Sequence, residues 1–160
     1  ALAITALIEL NESDIVDLDF NKMIDGIEAV SWTGRIEQVK ERPLMIVDGA
    51  HNVESVEALI STMKNYYHTE SIDILFSAIK GKPLNAMVDQ LKTIASTFYI
   101  TDFDFPKALT KEAIFNEVRF DQKALVDDYV KFIESYEGDG LIITGSLYFI
   151  SEVKAKVDFS

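Results

Sequence analysis

Four short apolar runs, separated by segments of helical periodicity, leave few folds open to this chain. The runs are residues 44–47, 72–76, 98–100 and 141–143. They show little alternation between apolar and polar residues, which is typical of strands that are buried on both faces of a parallel sheet. Each run therefore predicts an inner strand of such a sheet.

Apolar residues recur at helical spacing between and after these runs. Four stripes predict helices, and their members are Val53, Val56, Ile60, Met63 and Tyr67; Leu84, Met87, Val88, Leu91 and Ile94; Val126, Val130, Ile133 and Tyr136; and Leu147, Ile150, Val153 and Val157. Residues 35–39 and 117–120 predict two further strands. Because strands and helices alternate, we predict an α/β fold with an open, mostly parallel sheet flanked by helices and joined by right-handed crossovers.

Residues 1–30 do not join this alternation. They predict two helices, at 4–10 and 21–29, which we interpret as the end of a neighbouring domain. The first domain is accordingly predicted to be residues 1–31 and the second residues 32–160. Because the chain does not begin with Met, we expect a segment upstream of it.

Composition excludes several classes of function. The 160 residues carry a net charge of −12 and no cluster of basic residues, so binding to nucleic acid is not expected. No apolar run is long enough to span a bilayer, so no membrane partner is expected either. The chain has no cysteine, which excludes disulfides and thiolate zinc sites and fits a cytoplasmic protein.

Ligands of open α/β sheets bind beyond the carboxyl ends of the strands. The segments that follow the predicted strands are residues 48–52 (DGAHN), 77–82 (SAIKGK), 101–102 (TD) and 144–148 (TGSLY). They contain most of the small, turn-forming and ionisable residues that the apolar runs lack. We therefore expect these loops to form the binding face.

Two of these loops are open to both a functional and a structural interpretation. Asp48 is suited to accept hydrogen bonds from ribose hydroxyls and His51 to donate one to a phosphate, beside the free N–H groups of a helix start. The same spacing is typical of an ordinary strand-to-helix turn capped by Asn52. Likewise, Ser146 and Tyr148 either belong to an anion site or are a helix cap and a core aromatic residue.

Known complete nucleotide motifs are missing from the sequence. There is no G-x-x-x-x-G-K-[ST] phosphate loop, no G-x-G-x-x-G fingerprint, no pair of histidines at zinc spacing and no nucleophile elbow. Lys80 and Lys82 are either phosphate ligands or solvated loop lysines. The residues thus indicate an α/β domain that contributes to a nucleotide site without completing it, and no metal ligands are predicted.

Three motifs together resemble one known family. Residues 32–35 (WTGR), 48–52 and 144–148 are similar, in order and separation, to the carboxy-terminal domain of folylpolyglutamate synthase/dihydrofolate synthase, a relative of the Mur cell-wall ligases. The similarity covers residues 32–160, and residues 1–31 resemble the end of the family's central ATPase domain with its linker. Thr33 stands where the family usually has proline.

The resemblance implies a Rossmann-like Mur ligase domain of a cytoplasmic enzyme. Its reaction would use ATP to phosphorylate a folate or dihydropteroate-type carboxylate, and the amino group of L-glutamate would then attack the acyl phosphate. This domain would pack on its own upstream domain and close over ATP and Mg²⁺, both bound mainly there by a phosphate loop expected before Ala1. Alone, the 160-residue chain is expected to be inactive.

The resemblance also implies roles for individual residues. Arg35 would contact the ATP phosphates, Asp48 the nucleotide, and His51 the region of the transferring phosphoryl group, with Ser146 and Tyr148 as further nucleotide contacts. Arg35 and Asp48 are both expected at the interdomain face, as surface positions outside the core, Arg35 just after the linker and Asp48 at a strand's carboxyl end. Two alternatives are a Mur-type cell-wall amino-acid ligase, whose corresponding motif usually differs from DGAHN, and a non-catalytic regulatory α/β module.

Overall fold

The computed structural model describes residues 2–30, 32–67 and 71–159. The chain divides into two compact units, residues 1–32 and residues 33–160. Ala1, Ser31 and Ser160, which bound the two predicted domains, lie outside the described residues. The placement of the domain boundary between residues 31 and 32 therefore stays a prediction.

The first unit consists of two helices, α1 (Leu2–Glu12) and α2 (Phe20–Glu28), as the sequence predicts. Asp19 caps α2, because its side chain accepts hydrogen bonds from the backbone N–H groups of Asn21 and Lys22 at 3.0 and 3.2 Å. Among the side chains of this unit whose exposure the structure describes, nine large apolar ones are exposed, namely Leu7, Leu10, Ile15, Val16, Phe20, Ile24, Ile27, Val30 and Trp32. A concentration of exposed apolar residues like this one is typical of an interaction surface.

The second unit contains a six-stranded sheet within its described residues. The strands are β1 (Glu37–Lys40), β2 (Leu44–Asp48), β3 (Asp73–Phe76), β4 (Thr97–Ile100), β5 (Lys123–Leu125) and β6 (Gly140–Thr144). Their order is β1-β2-β6-β3-β4-β5, and every pair is parallel except β1 with β2. The predicted open, mostly parallel sheet is confirmed, and the four apolar runs form β2, β3, β4 and β6.

Helices cover both faces of this sheet. They are α3 (Val53–Tyr66), α4 (Leu84–Leu91), α5 (Lys111–Glu117), α6 (Tyr129–Glu134) and α7 (Leu147–Lys156). Helices α3, α4 and α5 share one core with Ile46 and Ile74, while α6 and α7 share the other with Met45 and Leu75. Successive strand residues are thus buried on opposite faces, which explains why the apolar runs do not alternate. None of the helices in the described ranges has both the length and the apolar character needed to cross a membrane.

The predicted strand at residues 117–120 is wrong. Glu117 ends α5, and the edge strand lies further on, at β5. The apolar residues there pack into the core just after the helix ends: Val118 is buried, and the Phe120 ring packs edge-on to Phe98 at 5.4 Å. Helix α5 itself was not predicted, because Ile114 is its one fully buried residue and no stripe forms.

The carboxyl ends of three strands lie side by side. Thr144 at the end of β6 is in register with Asp48 of β2 on one side and with Phe76 of β3 on the other. Helices α3 and α4, which follow β2 and β3, pack on one face, whereas α7, which follows β6, packs on the other. The connection that leaves β6 and those that leave its two neighbours therefore run to opposite faces of the sheet. A crevice opens at such a point in α/β sheets.

Gly145 allows the loops after β6 and β3 to touch. Its φ of +111° lies in the region that side chains avoid, and an added Cβ would lie 2.2 Å from the Ser77 carbonyl oxygen. A close approach of this kind leaves no room for any residue but glycine.

Gly145→Ala is expected to destabilise the chain more than Gly81→Ala. Both glycines have a positive φ, but an added Cβ at Gly81 would meet no atom within 4 Å. Gly81→Ala should therefore lower the free energy of unfolding only through conformational strain, by about 1–2 kcal/mol. Gly145→Ala should lower it by a further amount of about 1–3 kcal/mol because of the clash. Urea unfolding of the two variants measures the difference, and equal losses would contradict the close approach.

Candidate functional site

A cleft of about 440 Å³ lies where the loops after β2, β3 and β6 meet. It is lined by His51, Ile79, Lys82, Ser146, Leu147 and Tyr148. The loops predicted from the sequence to form the binding face thus bring His51, Lys82, Ser146 and Tyr148 to one place. Arg35 and Asp48 do not line this cleft.

Three buried hydroxyl groups lie at the strand ends that border the cleft. The side-chain oxygens of Ser77, Thr144 and Ser146 are buried, and none has a hydrogen-bond partner among the described residues. A buried hydroxyl without a partner costs free energy, so such groups are rare unless a ligand or water completes them. These unsatisfied hydroxyls lie just beneath the surface, at the strand ends that border the cleft.

Ser146 does not cap helix α7 with its side chain. It occupies the position before the helix, but its Oγ accepts no hydrogen bond from a backbone N–H of the described chain. The structural interpretation of Ser146 as a simple helix cap is therefore wrong. Its hydroxyl is buried beside the cleft and has no hydrogen-bond partner among the described residues.

His51 has one ring nitrogen fixed and the other available. Its Nδ1 donates to the carbonyl oxygen of Gly49 at 2.8 Å, and because a carbonyl can only accept, the proton of the neutral ring lies on Nδ1. No described residue bonds to Nε2. That nitrogen can accept a hydrogen bond when the ring is neutral or donate one when it is protonated.

Asn52 caps helix α3, as its structural interpretation predicts. Its side chain accepts from the Ser55 N–H at 2.8 Å, and Ser55 Oγ in turn accepts from the N–H groups of His51 and Asn52 at 3.1 and 3.2 Å. Three donors at this helix start are thus taken by internal bonds. The start of α3 is a weaker anion site than its sequence indicates.

Tyr148 forms the exposed end of a stack of aromatic rings. Its ring lies 4.3 Å from that of Phe105 at an angle of 18°, and Phe105 stacks in turn on Phe103 at 5.9 Å. Tyr148 is 55% exposed, so its interpretation as a core aromatic residue is wrong. The role of Phe105 in holding this ring was not predicted, although its position after β4 is the signal that could have shown it.

Asp48 is buried, so the expectation that it lies at the surface is wrong. Its Oδ2 accepts from the Ile36 N–H at 2.7 Å, and its Oδ1 accepts from the Ala50 N–H at 2.8 Å. Burial raises the pKa of this carboxyl, against the opposing effects of those N–H groups and of nearby Arg35 and His51. Asp48 thus fixes two segments at the end of β2.

Arg35 is exposed, as expected, on a turn with an unusual backbone. Its neighbours Gly34 and Ile36 have φ values of +72° and +43°. The turn is also tied to the loop after β2, because the Gly49 N–H donates to the Gly34 carbonyl oxygen at 2.8 Å. No hydrogen bond or ion pair engages the Arg35 guanidinium within the described ranges, which leaves it available to an anionic ligand.

Metal ligands are not assembled in the described part of the chain. No group of three or more His, Cys, Asp or Glu side chains there is arranged to hold a metal ion.

Comparison with known proteins identifies similar sequences. Residues 34–147 match the family described as Mur ligase, glutamate ligase domain. The chain is 38% identical over 162 residues to the dihydrofolate synthase/folylpolyglutamate synthase of Bacillus subtilis, a match that covers 98% of this chain and 38% of that protein. The chain therefore spans less than two fifths of the length of this relative.

Solved structures share the fold. A Mycobacterium tuberculosis folylpolyglutamate synthase, complexed with ADP and AMPPCP, superposes with a TM-score of 0.81 at 22% identity, over 96% of this chain and 38% of that one. An Escherichia coli FolC, in complex with DHPP and ADP, superposes with a TM-score of 0.77 at 20% identity, over 88% of this chain and 34% of that one.

Asp48→Ala is expected to lower the free energy of unfolding by about 2–4 kcal/mol, because it leaves two backbone N–H groups without their acceptor. Asp102 is a matched control: it follows β4 and accepts a single, longer bond from the Lys111 N–H at 3.3 Å. Asp102→Ala should cost about 1 kcal/mol. Chemical unfolding of both variants tests this difference, and equally small losses would show that Asp48 does not hold the two segments.

Proposed function

The chain belongs to the Mur ligase, glutamate ligase domain family, and from this premise we propose that it is the carboxy-terminal domain of an ATP-dependent ligase that adds L-glutamate to folates. In the proposed reaction, ATP phosphorylates a carboxylate of a folate or dihydropteroate-type substrate. The amino group of glutamate then displaces phosphate from the acyl phosphate and forms an amide. The similar Bacillus subtilis protein is a dihydrofolate synthase/folylpolyglutamate synthase, which supports this substrate class.

The observation that carries the proposal is the set of buried, unpartnered hydroxyls at the strand ends that border the cleft. Ser77, Thr144 and Ser146 offer buried polar groups at the point where an α/β sheet binds its ligands, and half-buried Lys82 adds a positive charge. Hydroxyls and an ammonium group suit a negatively charged ligand with several oxygens. The residues present therefore fit a nucleotide or carboxylate substrate.

Arg35 is proposed to contact the ATP phosphates. Its guanidinium is exposed and unpaired in the described chain, and a turn bonded at several points carries it. A cation held in place before the reaction stabilises the charge that develops on a transferring phosphoryl group. This requirement is met by a rigid turn better than by a flexible loop.

Two further residues beside Arg35 complete the proposed phosphate region. His51, when its ring is protonated on both nitrogens, would donate a hydrogen bond from Nε2 near the transferring phosphoryl group, with its ring oriented by the bond to Gly49. Asp48 would contact the nucleotide through a remaining lone pair, since each carboxylate oxygen can accept two bonds. Its principal contribution in this proposal is to hold Arg35 and His51 at adjacent positions.

The remaining assignments concern the walls of the nucleotide site. Ser146 would bond to the nucleotide through its free hydroxyl, and the exposed ring of Tyr148 offers a flat apolar surface for a planar group. Mg²⁺ would neutralise phosphate charge when bound, with its protein ligands supplied by an upstream domain. The exposed apolar residues of α1 and α2 would pack on that domain.

The isolated 160-residue chain is expected to show no ligase activity. It contributes one wall of the proposed site and lacks a phosphate loop. The test incubates the purified chain with ATP, Mg²⁺, radiolabelled L-glutamate and tetrahydrofolate, and measures labelled folate product. Amide formation that depends on ATP would contradict the division of the site between two domains.

Arg35→Ala in the complete ligase is expected to slow catalysis by about 10²- to 10³-fold, or about 2–4 kcal/mol of transition-state stabilisation, as for the loss of one preorganised donor. Arg119→Ala is the control, because Arg119 is also exposed but precedes β5, away from the carboxyl edge of the sheet. Steady-state rates with saturating folate and glutamate measure both effects. Near-normal activity of Arg35→Ala would overturn its assignment.

A further inference from the structure

Behind the turn that carries Arg35 lies an ion pair that the reaction described above does not use. Glu37, the first residue of β1, accepts a hydrogen bond from the Gly34 N–H through Oε2 at 2.7 Å. Its other oxygen, Oε1, pairs with the ammonium group of Lys154 on helix α7. The two side chains are only 30% and 27% exposed, so the pair is largely shielded from water.

This turn needs external support. Ile36 has a φ of +43°, which a β-branched residue rarely adopts, and Gly34 has a φ of +72°. Residues in such conformations persist only where surrounding bonds fix them. Here Asp48 holds the Ile36 N–H, Glu37 holds the Gly34 N–H, and the Gly49 N–H holds the Gly34 carbonyl.

The ion pair connects this turn to the wall of the cleft. Lys154 lies on the helix that begins just after Ser146 and carries Tyr148. The turn also rests directly on this helix, because a Cβ added to Gly34 would lie 3.1 Å from Ile150 Cγ2. Burial works against ionisation of Glu37, but its bonds to Lys154 and Gly34 prevail and lower its pKa, which keeps the carboxylate charged.

We propose that Glu37 and Lys154 are positioning residues for Arg35, which lock its turn onto α7 so that the guanidinium and the cleft wall meet one ligand together. The inference rests on the proposed role of Arg35 in phosphate binding. Without the pair, the turn would keep the bond to Asp48 and the packing of Gly34 on Ile150 but lose its polar link to α7. Arg35 would then lie in several positions, few of them productive.

A double-mutant cycle in the complete ligase tests this proposal. Glu37→Ala and Lys154→Met should each lower kcat/KM for ATP by about 10- to 100-fold, the range expected when a reacting group is displaced by about 1 Å. In the Arg35→Ala background the same changes should lower kcat/KM for ATP by less than about twofold, because no guanidinium is left to position. Lys154→Arg, which keeps the charge, should restore most of the activity.

Lys156→Met is the matched control. Lys156 lies on the same helix and pairs with Glu152 at 2.6 Å, away from the Arg35 turn. Its loss should leave kcat/KM within about twofold of wild type, as for a surface position. If Glu37→Ala does not fold, the double-mutant cycle is measured with Lys154→Met and Arg35→Ala.

The outcomes separate this inference from the proposed function. If Arg35→Ala is strongly impaired and Lys154→Met lowers activity by the same factor with or without Arg35, the pair is merely structural and the positioning role is wrong. A control variant as impaired as Lys154→Met would overturn it in the same way. If Arg35→Ala itself is harmless, the phosphate assignment of Arg35 fails and the inference fails with it.

Discussion

The carboxylate of Asp48 joins the two segments on which the proposed site depends. It accepts one backbone N–H from the turn that carries Arg35 and another from the loop that carries His51. Because Asp48 ends a buried inner strand of the sheet, both segments take their positions from the core. A single buried acid thus relates a cation and an imidazole that lie 16 residues apart in sequence.

The topology of the sheet explains why polar groups collect beside this carboxylate. Strand β6 is inserted between β2 and β3, and its helix covers the opposite face from theirs. Three loops therefore open around one strand end, where Ser77, Thr144 and Ser146 keep hydroxyls that the described chain does not satisfy. An apolar core would exclude such groups, so their retention at one edge is consistent with a ligand that completes them.

Much of the fold could be predicted from the sequence, because burial on both sheet faces leaves a clear pattern in β2, β3, β4 and β6. Edge strand β5 was misplaced, since three residues with a charged and an exposed member carry no such pattern. For the site, the loops could be identified from the sequence, but the burial and the contacts of their side chains could not. Burial of Asp48 depends on a turn that precedes β1, and the stacking of Tyr148 depends on a loop after β4. Both are contacts between distant segments, which local spacing does not encode.

We propose that this domain supplies Arg35 and Ser146 to ATP held mainly by another part of the ligase. A crystal structure of the complete enzyme with Mg²⁺ and a non-hydrolysable ATP analogue tests it most directly. We expect the Arg35 guanidinium within about 3.2 Å of a phosphate oxygen, and the Ser146 hydroxyl bonded to the nucleotide at a similar distance. A closed structure in which the nucleotide touches only the other domain, with Arg35 in solvent and Ser146 still without a partner, would contradict it.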